Sequence, residues 1–107
     1  MLLATSIAAA AVNVRLAWDP KPAGETWTEV RCSERTGTVA PYTYTLAGTV
    51  AGGVTTVTIP NVAAGSHTYI VRSFNGQQES ADSNAVTTTI LSVPTSPGNV
   101  TITIVIQ

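Results

Sequence analysis

Residues 12–18, VNVRLAW, set Val12, Val14, Leu16 and Trp18 on one side of an extended chain and Asn13, Arg15 and Ala17 on the other. An apolar period of two places one face of a strand against a core and leaves the other to solvent. The same period returns in short runs, each closed by residues that interrupt a ladder. Asp19-Pro20-Lys21-Pro22 and Ala23-Gly24 close the first, because proline has no N–H to donate. Thr28, Val30 and Cys32 then alternate with Trp27, Glu29 and Arg31 as far as Arg35-Thr36-Gly37. Tyr42, Tyr44 and Leu46 oppose Thr43, Thr45 and Ala47, and Gly48 followed by Gly52-Gly53 marks the next reversal. Val57 and Ile59 share one face of a strand that Pro60 is expected to end. After Ala63-Ala64-Gly65, His67, Tyr69, Val71 and Ser73 alternate with Thr68, Ile70, Arg72 and Phe74, and Asn75-Gly76 is a tight-turn signal. A last regular strand is predicted from Ala85 to Leu91. No stretch carries helical periodicity or a helix-capping pattern. Short strands broken at roughly ten-residue intervals predict an all-β chain folded as a β-sandwich.

The length of 107 residues allows one small domain and no second one. Charged residues are only 10% of the chain, but its density of Val, Ile and Thr argues against disorder. With one Cys there is no internal disulfide framework. Five basic against six acidic residues supply neither the electrostatic footprint of a nucleic-acid binder nor a polybasic membrane patch, so neither partner is expected. The first eleven residues, MLLATSIAAAA, have the apolar run and small residues of a signal peptide, but no Lys or Arg precedes the run and the first basic residue is Arg15. The run is also shorter than the ~20 apolar residues of a membrane-spanning helix. It is expected to be kept and to form the first strand.

The stretch VNVRLAWDP resembles the second strand of a fibronectin type III domain, whose Trp plugs the core ahead of an acidic-Pro turn. IPNVAAGSHTYIVRSFNGQQESADSNAV resembles the same family from its fifth strand to its last, with the hydrophobic residue before the turn, the Gly, the alternating sixth strand and the later Glu-Ser and Ser-Asn pairs. The resemblance covers about residues 2–91. It implies a fibronectin type III-like (Ig-like) β-sandwich over 1–91 with Trp18 fully buried between the sheets. Where the family most often carries its tyrosine-corner residue, this chain has His67. The resemblance therefore gives His67 a structural role, with its imidazole bonded to the backbone of the preceding turn. No Arg-Gly-Asp tripeptide is present, so integrin binding has no support.

The one constellation with chemical potential is Cys32 with His67, because in this fold the third and sixth strands pair antiparallel and the two residues fall near one another. Both lie on the predicted inward face, whereas a reactive thiolate needs an exposed, electropositive setting. They are read as core residues, with no catalytic role. One Cys and one His do not make a tetrahedral metal site, and Asp19, Glu25, Glu79 and Asp82 match no calcium spacing, so no metal and no cofactor is expected. Asn99-Val100-Thr101 is a glycosylation sequon by pattern alone. Trp27 shares the outward parity of Glu29 and Arg31, either packed under a loop or exposed on the sheet that family members use for binding.

The chain continues past the domain through a Pro-rich linker, 92–99, that its prolines hold extended, into a C-terminal β-strand tail, 100–107. In the tail Val100, Ile102, Ile104 and Ile106 form one apolar face. A strand this hydrophobic is an aggregation hazard unless paired, either as an extra edge strand of its own domain or by addition to a neighbouring subunit or a particle surface. On the second reading these four residues and Trp27 are the expected partner-binding set. A small, weakly charged domain of this kind with an extra terminal strand looks like a bacteriophage virion protein such as a capsid decoration, cement or head-fibre subunit. That resemblance implies a structural subunit located in the virion. Its partners would be neighbouring copies of itself or a major capsid protein. The alternative is a secreted, extracellular bacterial adhesion or carbohydrate-binding module, with a surface glycan held on Trp27.

Overall fold

The computed structural model describes residues 12–92, 97–98 and 101–103. Six strands follow in order: β1 (Val12–Ala17), β2 (Glu29–Thr36), β3 (Thr43–Ala51), β4 (Thr56–Val62), β5 (Gly65–Phe74) and β6 (Val86–Ile90). There is no helix among the described residues. β1 and β4 form a two-stranded sheet, and the other four form a second sheet in the order β3-β2-β5-β6. Every pairing is antiparallel. The chain is thus all-β with two sheets packed face to face, as the alternation predicts.

Cys32 on β2 and Tyr69 on β5 are each 1% exposed, and Val57, Ile59 and Val62 of β4 pack over them. Val14, Leu16 and Trp18 extend this cluster along β1, each only half-buried. Residues paired across a ladder share a face. Cys32 opposite Val71, Glu34 opposite Tyr69 and His67 opposite Thr88 therefore all point inward.

Three sequence expectations are corrected by the geometry. Pro60 does not end its strand. β4 runs on to Val62 through a register shift, between the pairs Ile59↔Val14 and Val62↔Val12. At such an irregularity no ladder N–H is required of residue 60, and Asn61 takes φ of 56° to complete the bend. Gly48 is likewise inside β3, and the reversal comes only at Gly52-Gly53. A Cβ on Gly48 would lie 3.1 Å from Val57 Cγ2 and 3.3 Å from Ile59 Cδ1, so the glycine leaves room for β4 to pack against β3. Trp18, finally, is packed against the core but not enclosed, because β1 lies at an open side of the sandwich. The indole Nε1 is shielded from solvent without a hydrogen-bond partner.

The other turns behave as their residues dictate. Asn75 Oδ1 accepts from the backbone N–H of Gln77 and Gln78, at 2.9 and 2.8 Å, and Gly76 has φ of 96°. The expected first strand, 1–11, lies outside the described residues, as do 93–96, Asn99, Val100, Ile104, Val105, Ile106 and Gln107.

Two substitutions test this packing. Gly48→Leu forces a side chain between the sheets and is expected to cost about 1–3 kcal/mol in urea unfolding. Trp18→Ala, at a half-buried position, is expected to cost about 1.5–3 kcal/mol, below the ~3–5 kcal/mol of an enclosed core aromatic.

Candidate functional site

β1 is bonded to β4 along one edge, and its other edge carries no ladder among the described residues. The gap on that side, between β1 and β6, is recessed. Toward the Trp18 end it opens into a cleft of about 560 Å³ whose wall includes Leu16, Trp18, Trp27, Tyr69 and Val86. Toward the start of β1 it continues as a groove of about 350 Å³, walled by Val12 to Leu16 on one side and Val86 to Ile90 on the other. Leu16, Tyr69 and Val86 border both.

Trp27 sits just ahead of β2, half-buried, on the wall of the larger cleft beside Glu25. Both residues also border an adjoining cleft of about 420 Å³ toward Gln78. The backbone there is fixed from two sides. Thr28 N–H donates to Phe74 O at 2.7 Å and Gly52 N–H donates to Thr28 O at 3.2 Å. A Cβ on Gly52 would run into the Trp27 carbonyl, so the Gly52-Gly53 turn lies directly on this segment. The structure thus places Trp27 and Trp18 on the wall of one cleft, which strand parity alone did not reveal. Of the four apolar tail residues, Ile102 is described. It is 93% exposed, and Thr101 to Thr103 join no ladder. Val100, Ile104 and Ile106 lie outside the described residues.

Cys32 and His67 are not brought together. Cys32 lies opposite Val71, four residues along β5 from His67, a separation of roughly 13 Å at 3.3 Å per residue. Burial, with a smaller contribution from the Glu34 charge, pushes the Cys32 thiol up to about 11, so it is protonated at neutral pH. His67 is instead clamped at both ring nitrogens. Nε2 donates to Ala63 O at 2.8 Å, the bond to the preceding turn that the corner role requires, and Nδ1 meets the Glu34 carboxylate. A neutral imidazole has one N–H and two acceptors here to serve, so the imidazolium fits the site best. The Glu34 hydrogen bond first, then the Ala63 carbonyl, raises the His67 pKa above its ordinary 6.5. Glu34 went unnoticed in the sequence, although its parity with Val30 and Cys32 already placed an acid on the inward face.

The outer face of the large sheet is polar but nearly self-neutralising. Arg31 pairs with Glu29 and Glu79, and Arg72 with Glu79 and Asp82. Arg31 also lies 4.0 Å over the Phe74 ring and Arg35 3.9 Å over Tyr42. At the far edges hydroxyls face each other across strands, Thr68 with Thr87 at 2.8 Å and Ser66 with Thr89 at 3.2 Å. No group of three or more His, Cys, Asp or Glu side chains is gathered in metal-holding geometry among the described residues. No helix of the described structure is long and apolar enough to cross a membrane. Comparison with family models, curated proteins and solved structures finds no match to the chain.

The His67 clamp fixes a pH dependence. Its folded pKa lies above the unfolded value, so its stabilisation is complete below pH ~6.5 and is lost as pH rises through the folded value. Thermal unfolding from pH 6 to 8 is expected to show stability falling by no more than about 1 kcal/mol, given the partial exposure of the pair. That slope should vanish in His67→Gln.

Proposed function

We propose that the chain is a non-enzymatic structural subunit of an assembly, a fibronectin type III-like (Ig-like) domain that attaches by adding its C-terminal segment, 100–107, to a sheet edge of a partner. The observation that carries this reading is the exposure of Ile102 beyond the two described sheets, in a segment whose apolar residues recur at every second position. The strand order β1-β4 and β3-β2-β5-β6 supports the domain type. The resemblance to small virion proteins supports a capsid decoration, cement or head-fibre role. The partner is then a neighbouring copy or a major capsid protein and the location the virion.

The energetics restrict how such a tail acts. Four large apolar side chains offer about 6–10 kcal/mol of gross burial at ~1.5–3 kcal/mol each. Ordering the backbone costs ~1–2 kcal/mol per residue, so side-chain burial alone barely holds the tail. Backbone hydrogen bonds to a sheet edge, or many copies acting together, supply the rest.

A second reading, a secreted adhesion or glycan-binding module, draws support from one observation, the placing of Trp18 and Trp27 on one cleft with Asp19, Glu25 and Asn84. Indoles stack on sugar rings while carboxylates and amides take hydroxyls. Glycan binding lost in Trp27→Ala, with normal assembly after tail removal, would favour it.

For the first reading, a chain ending at Ser92 is expected to fold as a monomer and to fail to join the assembly. Ile102→Asp and Ile104→Asp should weaken assembly with the melting temperature unchanged. Sizing chromatography and particle co-sedimentation check both, and normal assembly of the shortened chain would sink the mechanism.

A further inference from the structure

We infer that the open edge of β1 in one copy receives segment 100–107 of a second copy. This rests on the attachment reading above and names its acceptor. Among the described residues β1 has a ladder on one side, to β4, and none along the other. Beside it the groove sets Val14, Leu16, Tyr69, Val86 and Ile90 among the neutral polar Asn13, Thr87 and Thr88, and the one charged residue on its wall, Arg15, belongs to the outward parity of β1. Segment 99–107 has no charged residue, so seating it beside Val14 and Leu16 brings two uncharged apolar rows together. The lengths agree too. β1 has 6 residues, about 20 Å at ~3.3 Å each, and the Val100 to Ile106 stripe spans about the same distance.

The donor is a second copy for two reasons. The chain's own Thr101 to Thr103 are exposed and join no ladder, so they are not seated in their own slot. β6 also delivers the chain away from it. Ile90 pairs with Gly65 at the end of the domain where Val12 pairs with Val62, so β6 runs opposite to β1 and leaves at the mouth of the groove. Filling its own slot would require the chain to reverse through Pro94 and Pro97, both of which favour extension. In the proposed contact Ile102, Ile104 and Ile106 enter beside Val14, Leu16 and Trp18, and the strand hydrogen-bonds along the free edge of β1.

The test uses two full-length variants, Arg15→Cys, with its side chain on the exposed face of β1, and Thr103→Cys, on the polar parity of the tail. Adjacent strands lie ~4.8 Å apart, within the Cα separation a disulfide spans. The native Cys32, 1% exposed, takes no part. When the two are mixed with oxidised glutathione, the cross-linked heterodimer is expected to exceed either homodimer by about tenfold, because docking raises the local thiol concentration. Adding Ile102→Asp to the Thr103→Cys chain should abolish it. A chain carrying both cysteines that closes only on itself, at every dilution, would assign the slot to its own tail and overturn the inference. Absence of the heterodimer would overturn it as well, leaving the slot to residues 1–11 or to nothing. If tail removal still prevented joining a particle in that case, the attachment reading would stand and only the acceptor would be wrong.

Discussion

The two sheets are held together by the closure of Val57, Ile59 and Val62 over Cys32 and Tyr69, and most other features depend on how close that contact is. Gly48 has no side chain because Val57 and Ile59 occupy the space it would need. Tyr69 is 1% exposed beneath them, its phenol pKa raised chiefly by burial. The seven fully buried apolar residues among those described all come from β2, β4 and β5. β1 contributes only half-buried ones, so the core is dense at its centre and thin toward the β1–β6 side. Apolar surface left open in this way is a region where further burial still lowers the free energy.

Much of this architecture was legible in the chain itself. The alternation of Val12 to Trp18 and of His67 to Phe74 marked β1 and β5, because a half-buried strand leaves a period-two record whatever its partners are. Pro60 and Gly48 misled for a shared reason. Each is a breaker when judged locally, and each is tolerated by a fact that lies in another strand, a register shift against β1 for one and the packing of β4 for the other. Trp18 misled differently. Its periodicity said which way it points, while its burial depends on what covers β1, which no local pattern encodes. That Trp18 and Trp27 line one cleft also escaped, since loop residues 19–26 carry the chain between them without a periodic trace. The His67 bond to Ala63 was readable from the turn before it, but its bond to Glu34 required the β2–β5 register.

His67 and the open edge sit at positions of contrasting stability. The imidazole ties the β4–β5 turn to β2 through two acceptors, pinning the end of the domain from which β6 releases the chain. Along β1, by contrast, the backbone has one ladder among the described residues, and its apolar side chains are only half-buried. Local opening is drawn to segments with few buried contacts, so β1 is expected to open more readily than β2 or β5.

The cross-strand hydroxyl pairs, Thr68 with Thr87 and Ser66 with Thr89, have a consequence for crowding. A surface wetted by neutral hydroxyls, with Arg31 and Arg72 matched to carboxylates, presents little net field to a neighbour. Two such faces brought side by side neither repel strongly nor attract. Because screening acts on charges and not on hydroxyl dipoles, their contact should change little between dilute buffer and concentrated salt.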